Sequence, residues 1–118
     1  MRRYRTMMVV ALLAASARGL PAWAGAAEEI AAPTSARQRE LFKLLKHDCG
    51  SCHGMRLTGG LGPALTPDAL GDKAEASLTA TILSGRPGTA MPPWRAFISE
   101  PEAAWLVWRI REGVADAR

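Results

Sequence analysis

The 118-residue sequence predicts an all-α fold with three main helices, and three observations carry that expectation. Apolar residues recur at helical spacing in three stretches, each bounded by a capping or stopping residue. No stretch alternates apolar and polar residues as a half-buried strand requires. The first helical stretch runs straight into Cys49-Gly50-Ser51-Cys52-His53, which puts the motif's chemistry at the end of a helix.

The first helix is expected to open with Ser35 as N-cap and Gln38 three residues on, and it carries Leu41, Phe42, Leu44 and Leu45. The second, Glu75 to Ser84, places Leu78, Ile82 and Leu83 on one side and stops at Gly85, a residue free to take the left-handed conformation that ends helices. The third pairs Ser99 with Glu102 as a capping box, then runs through Trp105, Leu106, Trp108 and Ile110 to Gly113. Trp105 and Trp108, at i and i+3, both read as core. Between the first two helices, Gly54 to Lys73 reads as an irregular loop marked by Gly59, Gly60, Gly62 and Pro63, with Pro67 starting a short helical turn. There is no internal repeat.

The N-terminus reads as a secretory signal peptide over residues 1–24. Arg2, Arg3 and Arg5 form a basic region, Met7 to Ala15 is an uninterrupted apolar run, and Ala22-Trp23-Ala24 offers a small-x-small cleavage site, with cleavage after Ala26 the second choice. That apolar run falls well short of the roughly 20 residues that span a bilayer, so no membrane anchor is expected. Residues 25–34, Ala-rich and containing Pro33, read as a flexible leader, and residues 35–118 as the one folded domain. The full chain carries 15 Lys+Arg against 11 Asp+Glu, but four arginines leave with the signal, so the exported protein is formally neutral. The pI of 9.7 thus belongs to the precursor and gives no support to nucleic-acid binding.

Two cysteines three positions apart present both sulfurs along one edge of a porphyrin, where thioethers can form with its vinyl groups, and the adjacent His53 falls beneath the iron. Covalent attachment of one heme c through Cys49 and Cys52 is therefore the expected chemistry. A zinc site lacks a fourth ligand, since the other histidine, His47, sits in the same helical stretch. A thioredoxin-like dithiol lacks its strand-and-helix context. A disulfide between Cys49 and Cys52 would close too small a loop to stabilise much, and it leaves His53 unexplained. An exported domain this short also needs help to fold, and a covalently held apolar disc supplies it.

The sixth iron position decides what the heme does. Met1, Met7 and Met8 lie in the signal, Met55 is too near His53 in sequence to reach the opposite heme face, and Met91 remains, held in Met91-Pro92-Pro93-Trp94 by two prolines. A His53 and Met91 pair closes the iron to other ligands and suits electron transfer. Arg86 and Trp94 lie close to Met91 in sequence and are candidates to hydrogen-bond a heme propionate. Lys43, Lys46 and Arg56 flank the attachment motif as a candidate docking patch for an acidic partner surface. No Ser/His/Asp set, paired carboxylate site or phosphate loop is visible, so an electron-transfer protein is expected rather than an enzyme.

From about Ser35 to Gly113 the order of landmarks resembles class I cytochromes c: a helix leading into CxxCH, a Gly-Pro loop, a helix, a Met-Pro loop and a terminal helix crossing the first. The resemblance implies a class I cytochrome c fold, three main helices packed around one heme. It also implies that the carbonyl of Pro63 accepts a hydrogen bond from Nδ1 of His53 and leaves Nε2 for iron. Many members carry a glycine where the first helix meets an aromatic of the last; by that pattern Leu41, Phe42 and Leu45 of this chain would meet Trp105 or Trp108.

The run from His47 to Leu65, with Gly85-Arg86-Pro87-Gly88 and Met91-Pro92-Pro93-Trp94, is similar to the NirC-type small cytochromes c of denitrifying bacteria. That similarity implies a periplasmic single-electron carrier. It also implies that the chain either donates electrons to cytochrome cd1 nitrite reductase or accepts them from a heme d1 maturation enzyme. Two other classes compete: a heme enzyme or sensor with an open sixth site, and a non-redox assembly partner of the reductase. The first would be of the cytochrome c′ or peroxidase kind, and cytochromes c′ carry CxxCH near the C-terminus of a four-helix bundle, whereas here it comes early.

Overall fold

A computed structural model describes residues 32–114. The expected signal peptide, most of the expected leader and the last four residues lie outside that range. The described elements are α1 (Ser35–Leu44), a π-helical segment (Leu45–Cys49), α2 (Gly50–His53), α3 (Pro67–Leu70), α4 (Glu75–Ser84) and α5 (Glu100–Arg111). All are helical.

Helix α1 begins one residue earlier than its cap residue predicts. Thr34, not Ser35, is the N-cap: its backbone is non-helical and its side chain accepts from the Arg37 N–H at 3.3 Å. Two adjacent hydroxyl residues compete for this role, and the winner is the one preceding the first helical φ/ψ pair. Gln38 does not complete a capping box either; its amide donates to the carbonyl of Pro33 at 2.8 Å. The helix then passes without a break through the π-helical segment, where the Gly50 N–H reaches back five residues to the carbonyl of Leu45. One extra residue in that turn rotates the next stretch of helix about the axis, and such insertions recur at functional sites.

Helix α4 runs over the expected span and ends at Gly85, with φ +66°. Helix α5 opens with the full capping box, Ser99 accepting from the Glu102 N–H and the Glu102 carboxylate accepting from the Ser99 N–H at 2.7 Å. Its residues Ala103, Leu106, Val107 and Ile110 form one buried stripe, of which Ala103, Leu106 and Ile110 pack with Leu41, Leu45, Leu57, Leu70, Leu83 and Ile98.

Trp105 borders that stripe and takes the edge of the Phe42 ring, with centroids 5.3 Å apart, so Phe42 and Trp105 supply the contact between α1 and α5. Trp108 departs from expectation: it is 46% exposed. At 100° per residue it lies about 200° around the helix from Leu106, on the far side from the core. A second link ties α1 to the start of α5, because the Arg37 guanidinium bonds the Glu102 carboxylate through Nε at 2.5 Å and the carbonyl of Phe97 at 3.1 Å. At the other end of α5, Arg111 donates to the carbonyl of Gly71 at 2.9 Å and holds α3.

Candidate heme site

The π-helical segment and α2 place Cys49, Cys52 and His53 on consecutive helical turns. The two cysteines are half-buried and not joined to each other. Burial, with Asp48 adding to it, pushes the Cys49 thiol up to about 11. A redox-active dithiol needs a lowered thiol, so this one is the wrong kind for thiol–disulfide exchange. Among the described residues no three His, Cys, Asp or Glu side chains converge as a metal site.

Immediately after His53 the chain turns back over the histidine ring. Gly54 takes φ +88°. The returning limb of the loop is pinned by the Gly59 N–H to the carbonyl of His53 and the Gly62 N–H to the carbonyl of Cys52, both at 2.8 Å. Gly62 passes directly against the ring: a Cβ there would lie 2.8 Å from both Cε1 and Nδ1 of His53. The next carbonyl, that of Pro63, sits 2.6 Å from His53 Nδ1. Only the Nδ1–H tautomer can donate to it, so the ring is fixed in orientation and its Nε2 lone pair faces away from the loop. Leu57, inside the same loop, is buried with φ +58° and accepts the Leu65 N–H at 2.8 Å. Nothing in its residue type announces that conformation.

Met91 is held by a different device. Arg86 to Thr89 is a tight turn, with the Thr89 N–H donating to the carbonyl of Arg86 at 3.0 Å, Pro87 second and Gly88, at φ +77°, third. The Met91 carbonyl accepts from the Arg86 N–H at 3.1 Å. Beyond it, the Trp94 and Arg95 N–H groups donate to the carbonyls of Ile82 and Leu83 at 3.1 and 3.2 Å. The loop thereby satisfies the carbonyls that α4 leaves open at its C-terminus. Gly85 makes the approach possible, since a Cβ on it would meet the Pro92 carbonyl carbon at 2.6 Å. Met91 is half-buried, whereas Met55 is 58% exposed.

The remaining site candidates spread around this frame. Trp94 is half-buried against the core with its ring edge to Phe97, 5.8 Å between centroids. Arg86, Lys43, Lys46 and Arg56 are exposed. A recess of about 160 Å³ between Arg56, Leu65, Pro67 and Val114 lies apart from all of these but Arg56.

The donor set fits a covalent heme. Two unpaired sulfurs lie three residues apart beside a histidine whose second nitrogen is already committed to a carbonyl, and a softer thioether waits on a backbone braced at both ends. The family model described as cytochrome c oxidase, cbb3-type, subunit III matches residues 36–108. A cytochrome c55X of Pseudomonas aeruginosa is 62% identical over 81 residues, covering 69% of this chain and 68% of that protein. The chain belongs to the cytochrome c55X family of c-type cytochromes.

A solved c-type cytochrome NirC superposes with a TM-score of 0.68 at 60% identity, covering 70% of this chain and 96% of that one. The likeness extends more distantly to a dihydro-heme d1 dehydrogenase of Pseudomonas aeruginosa, 36% identical over 64 residues that make up 13% of that longer protein. Cytochromes c55X are electron-transfer proteins, not enzymes, with a class I cytochrome c fold and one covalent heme c, and Cys49 and Cys52 fit the CxxCH attachment motif. When bound, the heme supplies a one-electron iron couple. The chain's own part is to hold one histidine tautomer and brace a methionine loop. Helices long and apolar enough to cross a membrane do not occur among the described residues.

Proposed function

We propose that this cytochrome is a periplasmic single-electron carrier whose iron is held by His53 and Met91, and that it serves the cytochrome cd1 nitrite reductase system. The observation that carries the reading is the pair of rigid backbone supports, one fixing the His53 ring through Pro63 and the other fixing the Met91 loop through α4. Iron ligands held this firmly change little between oxidation states, which keeps reorganisation small and suits electron exchange. A site built for exogenous ligands would leave the second position open. Arg86 and Trp94 are proposed to bond the propionates, and export by the signal peptide over residues 1–24 places the carrier in the periplasm.

Two exchanges are compatible with such a carrier: donation to the reductase, and acceptance of electrons during completion of heme d1. The sequence shared with a dihydro-heme d1 dehydrogenase supports the second, because oxidation of a dihydro-heme releases electrons that a partner must accept. The test is stopped-flow mixing in two arms. The oxidised cytochrome is mixed with the dehydrogenase loaded with its dihydro-heme, and the reduced cytochrome with oxidised cytochrome cd1. Rapid reduction in the first arm supports maturation, rapid oxidation in the second supports donation, and no exchange in either removes the nitrite reductase system from the proposal.

A further inference from the structure

Arg109, on α5, takes no part in the heme site. Its guanidinium lies 5.0 Å from the Phe42 ring centroid and 5.4 Å from that of Trp108, so aromatic rings of both helices flank it. Its Nε is buried and has no hydrogen-bond acceptor. Both ion pairs among the described residues belong to Arg37, and Glu112, one turn on from Arg109, is not paired with it. A guanidinium held in this way has its plane fixed and its fork of N–H donors preorganised for a planar carboxylate.

The surroundings extend the same chemistry. Arg39 and Lys46 stand three residues before and four after Phe42, so they share its side of the first helical run; Lys43 stands one turn from each of those two cations, and all three are exposed. Glu40 is turned to Arg37 at 2.8 Å. Trp108 stands 46% exposed beside Arg109. Four cations and two aromatic rings thus lie on one face joined by the contact between Phe42 and Arg109. Tryptophan and arginine are the residues that most often dominate binding at protein interfaces, and a cationic rim around them selects an anionic partner.

We propose that this face, with Trp108 and Arg109 as its anchors, docks an acidic segment of a partner protein. One of its carboxylates pairs with the Arg109 fork while the chain beside it covers the Trp108 ring, and Arg39, Lys43 and Lys46 meet the flanking acids. The surface is separate from the residues that hold the heme, since it contains none of Cys49, Cys52, His53, Pro63 or Met91.

The test uses the reduced, diamagnetic holoprotein labelled with nitrogen-15 and titrated with hexaglutamate at low salt. The Trp108 indole N–H and the Arg109 Nε–H should show the largest shifts, with Trp108→Ala and Arg109→Gln each weakening binding roughly fivefold. Arg56→Gln, away from the face, should weaken it by less than about twofold. Should Arg109→Gln disturb folding, Arg109→Lys keeps the charge without the planar fork and is expected to weaken binding as well. Shifts centred on Arg56, Arg86 or Arg95 with Trp108 and Arg109 unmoved would overturn the proposal. So would binding to vesicles containing anionic lipid but not to hexaglutamate, or a concentration-dependent dimer that accounts for the same shifts.

Discussion

Replacing Gly62 by alanine probes the closest approach in the heme site. The added Cβ would sit 2.8 Å from Cε1 and Nδ1 of His53, whereas ordinary contact begins at 3.4 Å. Ring or loop must therefore give way by at least about 0.6 Å, an overpacking strain costing about 1–3 kcal/mol. Neither is free to do so: the ring is tied to Pro63 at 2.6 Å and the loop to the Cys52 carbonyl at 2.8 Å. For a domain of this size the melting temperature should fall by roughly 5–20 °C. The cysteines are untouched, so heme should remain attached, while weakening of the His53 hydrogen bond should shift the midpoint potential. Gly71→Ala is the control, because its nearest neighbour would be 3.5 Å away and its φ of −32° is not left-handed. Thermal melts followed by circular dichroism, with a redox titration of each variant, decide the matter. If Gly62→Ala matches Gly71→Ala in both melting temperature and potential, the close fit of loop to ring has no energetic content.

Three other substitutions test separate parts of the frame. Gly85→Ala should displace the Met91 loop, through a 2.6 Å clash with Pro92 and the loss of a comfortable φ of +66°, and its readout is a weaker ferric-iron-to-methionine absorption band with heme content unchanged. Pro63→Ala keeps the carbonyl that bonds His53, so its potential should move less than that of Gly62→Ala, with a loosened loop visible as faster amide exchange around residues 59–63. Glu102→Gln should lower stability at neutral pH by about 1 kcal/mol, since it weakens both the capping box and the link to Arg37. The Arg37 guanidinium, with help from Ser99, holds the Glu102 carboxyl down at about 2 against an ordinary 4.5. Its contribution is thus complete above pH 4.5 and is lost as pH falls towards 2, so the melting curves of variant and wild type should converge over that window.

The parts of this molecule that sequence makes legible are those governed by neighbours in the chain. The CxxCH motif, the Ser99 and Glu102 box, the stop at Gly85 and the short helix at Pro67 all depend on residues within a few positions of one another. The features that escaped are of two other kinds. Some turn on a single step of register or backbone angle that side-chain type does not encode: Thr34 rather than Ser35 as cap, the π-helical turn before the motif, the left-handed Leu57. Others join distant segments, as Arg37 does with Glu102 across 65 positions. Trp108 belongs here too, because spacing from Trp105 says which residues are neighbours on a helix but not where the covering helix stops.

Whether the iron is closed by His53 and Met91, as a one-electron carrier requires, is decided by a redox titration of the purified holoprotein with and without carbon monoxide. Carbon monoxide binds ferrous iron at an open or weakly held sixth position and raises the apparent midpoint potential. The wild type should give the same single one-electron curve under both conditions, and a carbon-monoxide-dependent rise should emerge once Met91→Ala has removed the thioether. A rise already present in the wild type would contradict the closed site and would make the heme an open, ligand-binding one.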